Sequence, residues 1–236
     1  MIKALVISSG GVDSTTCISL MIKKYGKENV STISALYGQR HSKELECARA
    51  VADYYGLVHY ELDLTHVFKG NKNCSLLPAE SGVDITEKTY IEQYTKGKMV
   101  DENHVIPSYV PFRNGLFIAA AASFGMGLLD DGDELYLVLG NHKDDYTYAD
   151  CSKAFIEAMN KATEQGTYGK VHVIAPINDL SKSEIVGMGL KLKTPYELTW
   201  SCYEGTKDAC GRCASCLCRL EAFANNGVVD PIRYEQ

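Results

Sequence analysis

Lys3-Ala4-Leu5-Val6-Ile7-Ser8-Ser9-Gly10-Gly11-Val12-Asp13-Ser14 is the stretch on which the reading of this 236-residue chain turns. Lys3 to Ser8 is a short apolar run rich in β-formers, the pattern of a strand buried on both faces of a parallel sheet. Paired glycines end it in a tight turn. A helical pattern follows, with Cys17, Leu20, Met21 and Tyr25 on one face and Gly26 near its end. A strand, a Gly-rich turn and a helix in that order aim backbone N–H groups and a helix N-terminus at one point, an anion-binding arrangement.

Outward from this stretch the same rhythm continues. Residues 30–36 read as a second strand and 42–55 as a helix, with Leu45, Ala48, Val51, Ala52 and Tyr55 at three- and four-residue spacing. Residues 58–64 alternate as a third strand. The rhythm resumes with an Ala-rich helix over 114–128, a strand over 134–139, a helix over 151–163, a strand over 171–175 and a helix over 182–192. Such alternation predicts an α/β fold with a doubly wound, mostly parallel sheet. Residues 66–108 break the pattern: they are polar, with Gly70, Pro78, Gly82 and Gly97 as breakers, and only 86–94 look helical. A connection this long is expected to serve as a lid or substrate-binding insertion. The expected organisation is one α/β domain over 1–200 carrying that insertion, then an irregular Cys-rich segment over 201–236.

The net charge of −6 argues against a broad nucleic-acid-binding surface, which needs clustered Lys and Arg. No apolar run reaches the length needed to cross a bilayer, and the first is too short for a secretory signal. A cytoplasmic chain is expected. Its nine cysteines, odd in number and unevenly spread, argue against a disulfide scaffold.

Within the loop, Ser9 and Ser14 can donate hydroxyl hydrogen bonds to a phosphate. Asp13 is the odd member, because a carboxylate repels phosphates unless it caps N–H groups or reaches Mg²⁺. No G-x-x-x-x-G-K-[ST] pattern is present, so no Walker-type lysine is supplied here. Tyr37-Gly38-Gln39-Arg40-His41 follows the second strand, where open α/β sheets bind ligands, and its residue mix suits a nucleotide pocket as well as a solvated turn. Arg113, in Val110-Pro111-Phe112-Arg113-Asn114, can hold a phosphate or carboxylate in a fork. Lys182, in Leu180-Ser181-Lys182-Ser183-Glu184, opposes the helix dipole at its N-terminus, which suits phosphate contact or plain exposure. Asp144, Asp145 and Asp150 are carboxylates able to read an amine and ring N–H edge, although Asp150 serves equally as a helix cap. His41, His104 and His142 are available bases.

Cys202, Cys210, Cys213 and Cys216 form the second strong signal. Their C-x7-C-x2-C-x2-C spacing can wrap one tetrahedral Zn²⁺ in a closed, structural site. An iron–sulfur cluster uses the same ligands. Cys218 is a fifth thiol able to compete with Cys216.

The loop resembles the pyrophosphate loop of the N-type ATP pyrophosphatases, and loop and cysteines together resemble the 7-cyano-7-deazaguanine synthase family along almost the whole chain. Tyr148-Ala149-Asp150-Cys151 and the three runs quoted above add to the resemblance. It implies an adenine nucleotide α-hydrolase-like fold with a C-terminal zinc subdomain, and ATP, Mg²⁺ and Zn²⁺ as cofactors. ATP would lie against Ser8, Ser9, Gly10, Gly11, Val12, Asp13, Ser14 and Thr15, with Tyr37, Gln39 and Arg40. Asp13, Arg113 and Lys182 would be catalytic. Arg113, Asn114, Asp145, Tyr148 and Asp150 would hold a deazaguanine carboxylate that is adenylated and joined to ammonia. A homodimer is implied. Leu36 stands where the family has an acidic or polar residue and Ala149 where it has proline, both around the expected substrate pocket. Rival readings are an amide-forming relative with another amine acceptor, conceivably on a protein partner, a tRNA-modifying enzyme, and a non-catalytic nucleotide-binding module.

Overall fold

Ala4, Leu5 and Val6 have no exposed surface, and their burial places the first strand at the centre of the molecule. The computed structural model describes residues 1–38, 43–69, 74, 76–77, 108–145, 147–205 and 207–235. Five parallel strands are present: β1 (Ile2–Ile7), β2 (Val30–Leu36), β3 (His59–Asp63), β4 (Glu134–Val138) and β5 (Val171–Ile174), in the order β3-β2-β1-β4-β5. β1 pairs with β2 through Ala4↔Val30 and with β4 through Leu5↔Leu137. The chain winds outward from β1 to β3, then crosses back to build β4 and β5 on the other side. The switch point between β1 and β4 opens a crevice at the carboxyl ends of the strands. The expected doubly wound parallel sheet is observed.

The helices are α1 (Val12–Tyr25), α2 (Lys43–Tyr55), the short α3 (Thr65–Phe68), α4 (Arg113–Met126), α5 (Lys153–Gly166), α6 (Lys182–Leu192) and α7 (Ala214–Ala224). Alternation along β1 divides the core. Ala4 and Val6 face Ile18 and Met21 of α1, Ile185 of α6 and Phe223 of α7. Leu5 faces Ile118 and Ala122 of α4 and Ile156 of α5. The small residues of α4 permit close approach: a Cβ on Gly125 would come within 2.3 Å of Leu135 Cδ2.

Several boundaries differ from expectation. The helix expected from 151 starts at Lys153, because Ala149–Cys151 is a separate 3-10 turn and Ser152 Oγ caps α5 by accepting from Phe155 N. α3 leads into the insertion, whose described Phe68, Cys74 and Leu77 pack with Tyr37 and Val110 in a small apolar cluster. The helix expected over 86–94 lies outside the described residues. The segment over 201–236 is not irregular throughout, since it contains α7. The twice-repeated short Cys spacing drew attention away from the helical pattern Ala214, Leu217, Ala222, Phe223 beneath it.

Gly10 shows how tightly the turn after β1 is built. Its φ is +72°, and a Cβ there would stand 2.2 Å from Glu44 O and 2.7 Å from Ala48 N. Gly10→Ala is therefore expected to lose about 2–5 kcal/mol through left-handed strain and overpacking. Urea denaturation would read this as a lower midpoint with unchanged slope.

Candidate active site and cysteine centre

Two short loops meet where the sheet changes direction. The turn Ser8–Gly11 leaves β1, and Leu139–His142 leaves β4. Gly140 lets the second loop lie against the first turn of α1, since a Cβ there would stand 3.0 Å from Ser14 N. Beside them opens a cleft of about 540 Å³. It runs from Ser9, Gly11, Asp13 and Ser14 past Tyr37, Arg113 and Asn114 to Asp145 and Tyr148, with Lys182 on the rim of α6. The sequence-derived residues thus converge from five separate segments.

The loop holds its own shape. Ser9 N donates to Ser14 Oγ at 3.2 Å, Gly11 N to Ser9 Oγ at 3.3 Å, and Thr15 Oγ1 to Gly11 O at 2.7 Å. Gly10, Val12 and Thr15 do not line the cleft: Gly10 packs on α2 and Val12 belongs to the core. Ser8 Oγ, Asp13 Oδ1 and Asn141 Nδ2 are buried polar atoms without a hydrogen-bond partner, at residues that do line it. Such orphans are costly unless a bound molecule satisfies them.

Charge is arranged around Asp13. Lys182 Nζ donates to Asp13 Oδ2, and His142 Nε2 stands 3.8 Å from the same oxygen. Burial pushes the Asp13 carboxyl up, but Lys182 and His142 outweigh it and hold it below the usual carboxylate range. Asp145 goes the other way: burial raises it, with the negative Asp13 adding to the effect. The placement of Lys182 is built by a capping box, in which Glu184 N donates to Ser181 Oγ and Ser181 N to Glu184 Oε2. Asp144 Oδ2 accepts from Lys182 N at 2.8 Å, so this carboxylate offsets the helix dipole that the lysine opposes.

On the opposite wall Arg113 lies over the rings of Tyr37 and Phe117, at 5.5 and 5.9 Å. Burial disfavours its charge, yet Tyr37, Cys151, Asp150 and Glu44 together raise its affinity for the proton. Tyr148 Oη shares a 2.8 Å hydrogen bond with Ser108 Oγ. Asp150 does not line the cleft. Its Oδ2 accepts from Asn114 N at 2.9 Å and caps α4, so it positions Arg113 and Asn114 from behind. Leu36 and Ala149 do not line the cleft either. Gln39, Arg40, His41 and His104 lie outside the described residues.

Several lining residues went unnoticed in the sequence: Glu44, Gly140, Asn141, Trp200 and Glu221. Gly140 and Asn141 directly follow a recognised strand, so the rule that ligands bind beyond strand ends could have found them. Trp200 and Glu221 carried no comparable signal. They arrive through the C-terminal segment, whose Trp200 N donates to Gly10 O at 2.8 Å.

The four cysteines Cys202, Cys210, Cys213 and Cys216 are buried with their sulfurs within 4.8 Å of one another. Four thiolates around one ion at about 2.3 Å would stand about 3.8 Å apart, so the cluster fits a single tetrahedral metal such as zinc. Gly205 N and Cys210 N donate to Cys202 Sγ at 3.0 and 3.2 Å. Hydrogen bonds from the Cys213 and Cys216 thiols, helped by these amides, hold Cys202 well below its usual range. Cys218 stands outside the cluster and lines the cleft instead, so Cys216 is the fourth member.

A family model described as "Queuosine biosynthesis protein QueC" matches residues 3–227. This chain belongs to the QueC family. It is 39% identical to the 7-cyano-7-deazaguanine synthase of Caldicellulosiruptor saccharolyticus, over 99% of this chain and 96% of that one. It is 39% identical to the synthase of Oceanobacillus iheyensis over 98% of each chain. With the synthase of Thermoplasma acidophilum the identity is 37%, covering 99% and 92%. The chain is thus a QueC-family enzyme of queuosine biosynthesis. No helix among the described residues is long and apolar enough to cross a membrane.

Proposed function

We propose that this chain converts 7-carboxy-7-deazaguanine and ammonia to 7-cyano-7-deazaguanine, using ATP as a carbon–nitrogen ligase does. The observation that carries the proposal is the near full-length likeness to synthases of that name. The cleft supports it, being of a size suited to small-molecule ligands. The substrate carboxylate attacks the α-phosphorus of ATP and releases pyrophosphate. Ammonia then displaces AMP and leaves an amide. The amide oxygen attacks a second ATP, and departure of that oxygen with AMP leaves the nitrile.

The residues divide this work by charge. The N–H groups of the loop and the orphaned Ser8 and Asn141 groups face the phosphates, and Lys182 neutralises the pyrophosphate as it leaves. Arg113 holds the substrate carboxylate beside Asn114, Asp145 and Tyr148. No base is needed for adenylation, because the carboxylate is itself the nucleophile, so positioning dominates. Asp13 Oδ1 is a hard oxygen donor fitting Mg²⁺, which when bound would shield the phosphates. The cysteine centre would hold zinc as a structural ion. A homodimer acting in the cytoplasm completes the proposal.

Incubating the metal-loaded protein with ATP, Mg²⁺, ammonium and 7-carboxy-7-deazaguanine, then weighing the products, tests it. A nitrile base is expected. An amide without nitrile would transfer the assignment to an amide-forming relative, and absence of pyrophosphate would favour a nucleotide-binding module. Lys182→Met is expected to lower kcat about 10²–10³-fold, since it removes the cation aimed at developing charge. It also leaves Asp13 unpaired. The carboxyl of Asp13 is held below its unfolded value, so the ion pair stabilises fully above about pH 4 and is lost as acid protonates it. The stability gap between wild type and Lys182→Met should therefore shrink in acid.

A further inference from the structure

Three acidic side chains that line the cleft have no part in the steps above, and of these Glu44 is half-buried whereas Asp144 and Glu221 are exposed. Glu44 stands in the first turn of α2 and lines the cleft. Its own carbonyl oxygen is the atom that a Cβ on Gly10 would strike, so it is presented from directly beside the phosphate loop. Arg113 of α4 and Tyr37 beyond β2 lie within electrostatic reach, as does Cys47 one turn along α2. Lys43, its neighbour, is engaged elsewhere: its Nζ lies 3.6 Å from the centre of the Trp200 ring and donates to Lys207 O at 2.6 Å. Among the described residues, none donates a hydrogen bond to the Glu44 carboxylate or pairs with it.

Building on the synthase function proposed above, we infer that Glu44 is the general base that takes the protons from the nitrogen entering as ammonia. That nitrogen loses three. When ammonia attacks the acyl adenylate, a carbon–nitrogen bond forms, the carbon–oxygen bond to AMP breaks with its electron pair, and one proton leaves to give the amide. When the amide oxygen attacks the second ATP, an oxygen–phosphorus bond forms, pyrophosphate departs and a second proton leaves. The third leaves as the remaining carbon–oxygen bond breaks and AMP carries off the oxygen. Glu44 accepts each in turn and returns it to solvent before the next.

The position and chemistry of Glu44 suit this task better than those of the other carboxylates. Glu44 lies within electrostatic reach of Arg113, which holds the substrate carboxylate in this mechanism, so the nitrogen that replaces a carboxylate oxygen is formed near it. Asp13 is tied by Lys182 and binds its proton too weakly to be an effective base. Asp145 is committed to a 3.0 Å hydrogen bond from His142 N. Burial raises the Glu44 carboxyl to about 7, partly opposed by Arg113, which lets it accept and release protons near neutrality.

The test uses the amide of 7-deazaguanine as substrate with ATP and Mg²⁺, so that ammonium does not titrate in the assay. Wild-type nitrile formation is expected to rise with pH through about 7 and then level, because the carboxylate is the active form. In Glu44→Gln the rate should fall about 10²–10⁴-fold and the rising limb should vanish. Pyrophosphate exchange driven by the carboxylate substrate, which involves no N–H proton, should stay within a few-fold of wild type. Glu44→Asp should retain the limb at a reduced rate. Equal loss of exchange and nitrile formation in a folded Glu44→Gln enzyme would make Glu44 a binding group and overturn the assignment, as would a surviving limb. Wild type that makes no nitrile from the amide would overturn the synthase function and this assignment with it. Glu44→Gln should melt no lower than wild type at pH 8, since a raised carboxyl costs stability above its unfolded value.

Discussion

Cys213→Ser is expected to lose the bound metal, most of the C-terminal order and all measurable synthase activity. The four sulfurs are buried within 4.8 Å of one another, and without a cation they cannot all be thiolates. Protons must then be shared, which pushes Cys213 and Cys216 up while Cys202 falls. Zinc binding to such sites contributes on the order of 10–16 kcal/mol in small peptides, more than the whole stability of most domains. The consequence reaches the cleft because α7 begins one residue after Cys213. The same helix presents Ser215, Leu217, Cys218 and Glu221 to the cleft wall. Metal analysis should read about one ion per wild-type chain and none in the variant. Cobalt replacement should show tetrahedral thiolate bands, whereas intrinsic visible absorption would mark an iron–sulfur cluster. A variant that binds no metal yet keeps its melting temperature and activity would falsify the structural role.

Arg219→Met should cost about 3–5 kcal/mol, the second-largest effect expected. Arg219 has no exposed surface and forms a two-pronged pair with Asp230, at 2.6 and 2.9 Å. Its remaining donors reach Thr199 Oγ1 at 2.9 Å and Tyr196 O at 3.2 Å, while Tyr234 Oη donates to Asp230 Oδ2 at 2.7 Å. One guanidinium therefore ties α7 to the segment leading into the metal centre and to the chain's last turn. Removing it strands Asp230, 7% exposed, as a buried unpaired carboxylate. The double variant Arg219→Met, Asp230→Asn should recover part of the loss, because the stranded charge is gone. Chemical denaturation of the two variants gives the comparison. A single variant as stable as wild type would mean that water replaces the pair.

The parts of the site legible in the sequence were those whose chemistry is local. The turn after β1 announces itself because two glycines interrupt an apolar run, and Gly10 does adopt a left-handed conformation. The Ser181–Glu184 run was quoted as a helix start, and it is a capping box. Asp150 shows the opposite case. Its type suits recognition of an amine and also helix capping, and only the 2.9 Å bond from Asn114 N shows which it does here. Glu44 carries no signal of its own within the helical run 42–55, and its place in the cleft wall beside Gly10 and Arg113, 34 and 69 positions away, appears only in the fold.

The alternation of strands and helices, the Gly-rich turn after β1 and the cluster of four cysteines follow from residue type and spacing. Propensity, hydrophobic period and ligand reach act over a few residues, so a linear string records them. The pairing of Lys182 with Asp13, the cleft wall formed by α7 and the placement of Glu44 in the cleft depend on segments brought together from far apart. They follow from the crossover between β1 and β4 and from the packing of the C-terminal segment on the turn after β1. Burial, and the shift in proton affinity it brings, is a property of what surrounds a group in space.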